Sequence, residues 1–308
     1  RSTLFPYTTL FRSVKFDFRE YLENKKKFSM NTINSYDRDL RKIFLYLVEM
    51  GYSIEEYSWL NEELITRYLG YLKEKDYSSA TLSRTISTVH IFIEYLYNTR
   101  LISNKINIDV HVDKDDQHNL IIFTRQEIAK ILDIDTKNWM DYRDKAIFEL
   151  SYSIGIKPTE CINLELKDVN TTIGYLKYKK KEGYRTVALN KESTDAIKNY
   201  IEELKKEYPD IEDESKLFLN HDGEGISRQG FWKIFKKRQQ DLGLEKELNT
   251  MNFRNSLAIH LLEDKVPAEE VQELLGLKNI HSLKLYFNNL KKPGQKRTLI
   301  NHPRRTIN

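Results

Sequence analysis

A stretch in the last third of the chain, from Met251 to Tyr286, constrains the fold more than any other feature of the sequence. Apolar residues recur in it at helical spacings: Phe253, Leu257, Leu261, Val271, Leu274 and Leu275. Pro267 and Gly276 interrupt this pattern, and both residue types are typical of helix ends and turns. The stretch therefore predicts two or three short packed helices, with Arg254 early in the stretch and Tyr286 at its end.

The order of Arg254, an L-L-G run ending at Gly276, and Tyr286 resembles the C-terminal signature of the tyrosine recombinases, or phage integrases. In that family a helix carries H-x-x-R-H, a later turn carries L-G-H, and the nucleophilic tyrosine follows. The resemblance implies that Tyr286 is the nucleophile and Arg254 the second catalytic arginine. Met251 and Leu277 stand where the family has histidines, and Asn255 stands where it often has another. Neither methionine nor leucine can transfer a proton or donate a hydrogen bond to a phosphate.

A second stretch, residues 141–170, resembles the family pattern R-D-x-A-I-x-x-L-x-Y-x-T-G-L-R-x-x-E-L-x-x-L-x-x-x-D-V. The pattern is kept at the following positions: Arg143, Asp144, Ala146, Ile147, Leu150, Tyr152, Gly155, Glu160, Leu164, Asp168 and Val169. Lys157 stands at the position of the family's first catalytic arginine. The family's arginine holds the scissile phosphate with a planar fork, whereas a lysine offers only a point charge.

Strand-like residues flank a K-K-K-E-G run after this segment, which predicts a β-hairpin with Gly183 in the turn. The family places a catalytic lysine in such a hairpin, where it protonates the leaving 5′ oxygen. Aligning R-T-V-A-L with the family's R-x-V-P-L assigns that role to Lys180, with Lys179 and Lys181 as alternatives. The alternative without catalysis is a charged hairpin tip.

The first half of the chain predicts a four-helix domain. One amphipathic helix has the apolar face Ile33, Tyr36, Leu40, Ile43 and Leu47. A second has the apolar face Leu82, Ile86, Val89, Ile93 and Leu96. Two weaker helical patterns cover residues 16–24 and 60–73.

Two phrases in these helices, S-x-x-T-x-x-x-Y-x-x-D-L-R and S-x-x-T-x-x-x-x-I-S, resemble the family's N-terminal core-binding domain, which grips one face of DNA. The resemblance implies phosphate contacts by Thr32, Ser35, Arg38, Ser79, Thr81 and Arg84. For each of them the alternative is a helix cap or a solvated surface residue. Residues 217–244 resemble the family's strand, turn and DNA-facing helix. The candidate contacts there are Ser227, Arg228, Lys233, Lys236 and Lys237. A solvated amphipathic face is the alternative for that helix.

The predicted fold is mainly α with a small β-hairpin or sheet, arranged as two domains. A chain of 308 residues, of which 40% are hydrophobic and 31% charged, is long enough to form them. Residues 14–107 are expected to form the core-binding domain, 108–120 a linker, 121–290 the integrase-type catalytic domain, and 291–308 a basic tail. Residues 1–13 resemble a translated sequencing adapter, so we expect them to contribute nothing to the fold.

Charge and motif content set the expected partners. A net charge of +4 is compatible with binding to double-stranded DNA, provided that the basic residues are clustered. No Walker, dinucleotide or zinc motif occurs, so we expect no cofactor and no metal. The single cysteine, Cys161, excludes a disulfide framework and favours a reducing cytoplasm, and no apolar run suits a membrane span. The resemblance implies a homo-oligomer on DNA, or a hetero-oligomer with a related recombinase.

The resemblance also implies a mechanism. In the family, the tyrosine hydroxyl attacks a DNA phosphate to give a 3′-phosphotyrosine and a free 5′ hydroxyl, so neither ATP nor metal is needed. Losing one preorganised donor to such a phosphate costs about 10²- to 10³-fold in rate. Departures at Lys157, Met251 and Leu277 therefore predict an impaired enzyme.

Three functions remain open from the sequence. The first is a recombinase with reduced activity, and the second is a pseudo-recombinase that binds DNA or a partner protomer without cutting. The third is a helical interaction protein that does not bind DNA. Tyr286 and Arg254 favour the first over the third, whereas Met251 and Leu277 favour the second over the first.

Overall fold

The structure, a computed structural model, describes residues 17–53, 57–112, 120–180, 183–277 and 279–290. The chain divides into two compact units, Arg1–His118 and Asn119–Asn308. Both are mainly helical, and the described strands of the second unit form one small sheet. The predicted fold class is therefore confirmed. The adapter-like residues 1–13 and the predicted tail 291–308 lie outside the described residues.

The N-terminal unit contains four predicted helices around an aromatic core. They are α1 (residues 17–24), α2 (Met30–Glu49), α3 (Glu62–Glu74) and α4 (Ser79–Asn98). Phe92 of α4 is fully buried, and its ring packs against five others: Phe18, Phe44, Tyr57, Trp59 and Tyr95. The apolar faces read from the sequence are the faces that form this core.

The predicted linker, residues 108–120, begins too early. Ile108 is buried in the core of the N-terminal unit, and Val110 and Val112 pack against the same core. The carbonyl of Ile108 lies 2.9 Å from the Nε2 atom of His90. Alternating apolar residues explain the difference, because they bury one side of an extended segment without any helical period. Residues 113–119 lie outside the described part of the chain.

The C-terminal unit consists of helices and one small antiparallel sheet. Its helices are α5 (Arg125–Leu132), α6 (Trp139–Ile154), α7 (Pro158–Cys161), α8 (Lys191–Glu207), α9 (Arg228–Asp241), α10 (Thr250–Glu263), α11 (Ala268–Leu275) and α12 (Lys284–Leu290). Its strands are β1 (Val169–Asn170), β2 (Tyr175–Lys180) and β3 (Gly183–Ala188), in the order β1-β2-β3. The last three helices correspond to the short helices predicted around Pro267 and Gly276.

Strands β2 and β3 form the predicted hairpin. Tyr178 pairs with Arg185, and Lys180 pairs with Gly183 at the end of the ladder. Gly183 is therefore the first residue of β3 instead of a residue in the turn. It has a positive φ of 109° at the start of the return strand. The two connecting residues, 181–182, lie outside the described residues.

Helix α10 runs through the middle of the C-terminal unit and carries the site residues into its core. Phe253 is fully buried, and its ring packs against Phe123, Phe148 and Phe235. Cys161 is also fully buried in this core, as a small apolar residue would be. Such packing fixes the direction of α10, and thereby the positions of the two residues that follow Phe253.

Candidate active site

Tyr286, the predicted nucleophile, lies in α12 and is only 6% exposed. Its hydroxyl donates a hydrogen bond to the Oδ1 atom of Asn255 in α10, over 3.2 Å. Burial raises the pKa of Tyr286, and the positive charge of Arg254 opposes this effect. The phenol is therefore neutral here, because an amide oxygen accepts a hydrogen bond but does not take up the proton.

Arg254 precedes Asn255 on α10 and is buried. Its Nη1 atom donates to the carbonyl of Gly155 over 2.6 Å, and its Nη2 atom donates to the carbonyl of Leu275. Burial lowers the pKa of Arg254 from its ordinary value, and Tyr286 is the strongest opposing influence. A guanidinium has five N–H donors, so these two bonds orient the group and leave further donors available.

Two left-handed glycines make room for these side chains. Gly155 ends α6 with φ 59°, and Gly276 ends α11 with φ 58°. A Cβ atom on Gly155 would lie 3.3 Å from the Cγ atom of Arg254. A Cβ atom on Gly276 would lie only 2.5 Å from the Nζ atom of Lys180. The turn after α11 is thus packed directly against the hairpin lysine.

Strand alternation distinguishes Lys180 from its neighbour. Tyr178 is buried and Lys180 partly buried on the inner face of β2, whereas Lys177 and Lys179 are exposed on the outer face. Side chains two residues apart share one face of a strand. Of the candidate hairpin lysines, Lys180 therefore shares the inner face with Tyr178 and Lys179 does not, and Lys181 lies outside the described residues.

Several charged groups surround Lys180. Its Nζ atom lies 3.9 Å from the Oε1 atom of Glu160. Burial lowers the pKa of Lys180, the positive charges of Arg185, Lys157 and Arg254 lower it further, and Glu160 opposes the change. The structure thus brings Lys157, Lys180 and Arg254 into one electrostatic cluster. Their roles in catalysis stay predictions.

Two members of this cluster, Lys157 and Lys180, line a broad cleft with a volume of about 1310 Å³. The turn residues Gly276 and Leu277 line one part of it. Its basic lining residues are Lys157, Lys167, Lys177, Lys179, Lys180 and Lys216. Three carboxylates are interspersed with them: Glu160, Glu165 and Asp168. A cleft with more cations than anions favours a polyanionic ligand.

The positions where the family has histidines are apolar here and lie at the edge of this site. Met251 is 61% exposed on the first turn of α10, and Leu277 is partly buried beside Gly276. His281 is exposed in a 3-10 turn, Ile280–Leu283. His281 follows Leu277 by four residues, which would be one turn of a shared helix. The two residues do not share a helix, because α11 ends at Leu275.

The candidate DNA contacts of the N-terminal unit cluster at two helix starts. Ser29 caps α2 by accepting from the N–H of Thr32, and Ser78 caps α4 by accepting from the N–H of Thr81, each over 3.3 Å. Ser35 and Ser79 are partly buried within the first turns that follow. Each helix start also exposes uncapped N–H groups, which favour an anion.

The two candidate arginines of that unit differ. Arg84 is held by the buried carboxylate of Asp39 through two hydrogen bonds, of 2.7 and 3.0 Å. Arg38 is exposed, and its contacts are to its own helix, at Asn34 and Ser35. Arg84 therefore has a structural partner already, whereas Arg38 can turn toward a phosphate at little cost.

In the C-terminal unit, α9 exposes all the residues predicted to contact DNA. Ser227 caps this helix by accepting from the N–H of Gly230 over 3.0 Å. The exposed side chains are those of Ser227, Arg228, Lys233, Lys236 and Lys237. Arg238, on the opposite face of α9, donates to the carbonyls of Lys130, Ile131 and Asp133 at the end of α5.

Sequence reasoning missed two contacts within the site. In the sequence, Asn255 looks only like the loss of a family histidine. In the structure it accepts the hydrogen bond of the Tyr286 hydroxyl. Arg185 on β3 donates to the carbonyls of Glu273 and Leu274, at the end of α11. No sequence signal predicts such a contact, because every residue has a backbone carbonyl, whatever its side chain.

Within the described residues, no group of His, Cys, Asp and Glu side chains is arranged to hold a metal ion. Across the same residues, every helix is too short or too polar to span a membrane.

Family models match both units. The model of the phage integrase family matches residues 122–292, and that of the phage integrase N-terminal SAM-like domain matches residues 17–100. The chain belongs to the phage integrase family. The resemblance read from Arg254, the L-L-G run and Tyr286 is thereby confirmed.

Curated relatives in this family are tyrosine recombinases. The chain is 30% identical to tyrosine recombinase XerD of Listeria monocytogenes over 274 residues, which cover 88% of this chain and 92% of the relative. It is 30% identical to XerD of Staphylococcus epidermidis over 291 residues, covering 94% and 98%. The similarity therefore extends over both units.

Solved structures of the family share the fold. XerH recombinase bound to its difH substrate in a pre-cleavage complex has a TM-score of 0.69 and 18% identity, covering 90% of this chain and 92% of that one. The integrase of transposon Tn1549 with a circular intermediate DNA has a TM-score of 0.70 and 17% identity, covering 89% and 94%. At this identity the likeness supports the fold alone.

One prediction concerns a buried histidine on α10. The Nδ1 atom of His260 lies 2.7 Å from the Tyr152 hydroxyl, and burial lowers the pKa of His260 from 6.5. The unfolded chain therefore takes up a proton below about pH 6.5 that the folded chain does not. As the pH falls below about 6.5, we expect this proton uptake to lower the free energy of unfolding by up to about 1.4 kcal/mol per pH unit.

The measurement is urea unfolding of wild type and His260→Gln between pH 7.5 and 5.5. The variant has no imidazole to titrate, so the stability advantage of wild type should shrink as the pH falls. An advantage that stays constant over this range would contradict the assignment of a neutral His260.

Proposed function

We propose that this protein cleaves and rejoins double-stranded DNA at specific sites through a covalent intermediate on Tyr286. One observation supports the proposal: Arg254, Lys180 and Lys157 lie close enough together to interact electrostatically, and Tyr286 lies close enough to Arg254 to do so. The relatives named tyrosine recombinases support it.

The reaction follows from the chemistry of these groups. The Tyr286 oxygen bonds to phosphorus while the bond from phosphorus to the 5′ oxygen breaks, which leaves a 3′-phosphotyrosine. The phenol proton passes to solvent, and the Lys180 ammonium gives its proton to the 5′ oxygen, forming a 5′ hydroxyl. Arg254 and Lys157 offset the charge that develops on the phosphate oxygens. Rejoining is the reverse of these steps.

We propose that the chemistry is impaired relative to a site with the full family set. Lys157 offers a point charge in place of a fork, and Met251 and Leu277 offer no donor. Tyr286 must also exchange its bond to Asn255 for the phosphate. Losses within one site do not simply add, so the total reduction is smaller than the product of three separate losses.

The proposed substrate complex uses both units. In the N-terminal unit we assign phosphate contacts to Thr32, Ser35, Arg38, Ser79, Thr81 and Arg84. In the C-terminal unit we assign them to Ser227, Arg228, Lys233, Lys236 and Lys237. The proposed assembly on DNA is a homo-oligomer, or a hetero-oligomer with a related recombinase. The proposed location is the cytoplasm.

A second candidate is a pseudo-recombinase that binds DNA without cutting it. It is favoured by the apolar residues at positions 251 and 277, since both family histidines are absent together. Strand cleavage remains the primary proposal because Tyr286 and Arg254 are retained and lie in one electrostatic environment.

The first functional prediction is a covalent adduct. On a duplex selected for binding and nicked beside the cleavage position, wild type should form a DNA complex that resists denaturing detergent. Tyr286→Phe should abolish it, because the nucleophilic oxygen is gone. Tyr97→Phe removes the same atom from an exposed tyrosine of α4 and should form the adduct at the wild-type rate. Absence of an adduct from wild type on DNA that it binds would support the pseudo-recombinase.

The second functional prediction concerns the three departures. The triple variant Lys157→Arg, Met251→His, Leu277→His restores a fork and two imidazoles, so adduct formation should accelerate by about 10²-fold. The matched control is Lys198→Arg, the same lysine change on the exposed face of α8, which should leave the rate unchanged. An unaltered rate in the triple variant would show that these positions do not limit the chemistry.

A further inference from the structure

The end of α11 is bound by guanidinium groups from two other elements. Arg254 of α10 donates to the carbonyl of Leu275, and Arg185 of β3 donates to those of Glu273 and Leu274, the latter over 2.8 Å. The last carbonyls of a helix have no partners within the helix and form the negative end of its dipole. A planar fork suits them, so Arg185 fastens the hairpin to the end of α11.

Arg185 is placed for this by the register of the hairpin. It pairs across the ladder with Tyr178, and its Nη1 atom donates to the Tyr178 hydroxyl over 3.4 Å. Lys180 lies two residues beyond Tyr178 on the same face of β2. Fixing the Arg185 side chain therefore fixes the face of the hairpin that carries Lys180.

Gly276 shows how closely these groups meet. A Cβ atom there would lie 2.5 Å from the Nζ atom of Lys180 and 2.5 Å from the Nη1 atom of Arg185. Both cations therefore rest against the backbone of one turn. The turn leads on toward Tyr286, and the carbonyl just before Gly276 accepts from Arg254.

We propose that Arg185 is a positioning residue, which holds Lys180 at the turn after α11 in the orientation needed to protonate the leaving 5′ oxygen. This rests on the strand cleavage proposed above. The step that Arg185 assists is the one in which the Tyr286 oxygen bonds to phosphorus and the bond to the 5′ oxygen breaks. The departing oxygen takes the proton of the Lys180 ammonium, which becomes a neutral amine.

The charge of Arg185, like its position, favours proton transfer from Lys180. After burial, Arg185 is the largest influence that lowers the pKa of Lys180. The other charged or titratable groups that face Lys180 are Lys157, Glu160, Arg254 and Tyr178. A lysine with a lowered pKa releases its proton more readily to a leaving alkoxide.

The test compares two nicked substrates of the same sequence, one ordinary and one with sulfur in place of the bridging 5′ oxygen. A thiolate leaves without a proton, so the sulfur substrate needs no general acid. On ordinary DNA, Arg185→Gln should form the adduct about 10²-fold more slowly than wild type. On the sulfur substrate its rate should return to within about fivefold of wild type. Lys180→Ala should show the same pattern.

Two further variants keep the result interpretable. Arg185→Lys retains a cation for the helix end, and it should slow cleavage by about tenfold on ordinary DNA and not on the sulfur substrate. Arg238→Gln removes an arginine that also donates to carbonyls at a helix end, that of α5. Any slowing that it causes should be equal on the two substrates.

The outcomes separate this inference from the function on which it rests. Equal slowing of Arg185→Gln on both substrates, beside a rescued Lys180→Ala, overturns the role of Arg185 and leaves strand cleavage intact. Wild-type speed of Arg185→Gln on ordinary DNA overturns it as well. Failure of wild type to form an adduct on either substrate overturns the proposed function, and the role of Arg185 with it.

Discussion

The two hydrogen bonds from Arg254 to the carbonyls of Gly155 and Leu275 are the interaction on which the site depends. They connect α10 to the end of α6 and to the end of α11. Both carbonyls are accessible to the guanidinium because α6 ends just before Gly155 and α11 ends just before Gly276. Both glycines have the left-handed conformation. A buried cation without such partners would be strongly unfavourable, so the two helix ends and Arg254 require one another.

The other groups are arranged around this centre. Asn255 follows Arg254 and holds the hydroxyl of Tyr286, while Gly276 follows Leu275 and admits the side chains of Lys180 and Arg185. The cations are close enough to lower the pKa of Lys180, and a bound phosphate would offset their mutual repulsion. The cluster thus has the charge of a phosphate site even where single donors of the family are replaced.

The sequence predicts the parts of this site that follow from spacing. Helical periodicity predicts the short helices around Pro267, and the order of Arg254, L-L-G and Tyr286 identifies the family. Counting back from R-T-V-A-L selects Lys180, and strand alternation in the structure agrees, because Lys180 shares the inner face with Tyr178. The roles of these residues in catalysis stay predictions.

The contacts that sequence could not predict are made to backbone or to distant residues. Arg185 meets carbonyls at Glu273 and Leu274, far along the chain, and Arg84 is bound by a buried Asp39 that resembles an ordinary helix residue. Ile108 joins the N-terminal core through an extended segment that has no helical period. Each of these contacts depends on which surfaces meet after folding, and a local sequence pattern does not predict that.

The most direct test of the central claim is the structure of the protein trapped on nicked DNA. We expect the 3′ phosphate to be bonded to the Tyr286 oxygen. We also expect Arg254 to donate to a phosphate oxygen and the Lys180 amine to lie within hydrogen-bonding distance of the free 5′ hydroxyl. A phosphate bonded to another residue, or one that neither Arg254 nor Lys180 contacts, would contradict it.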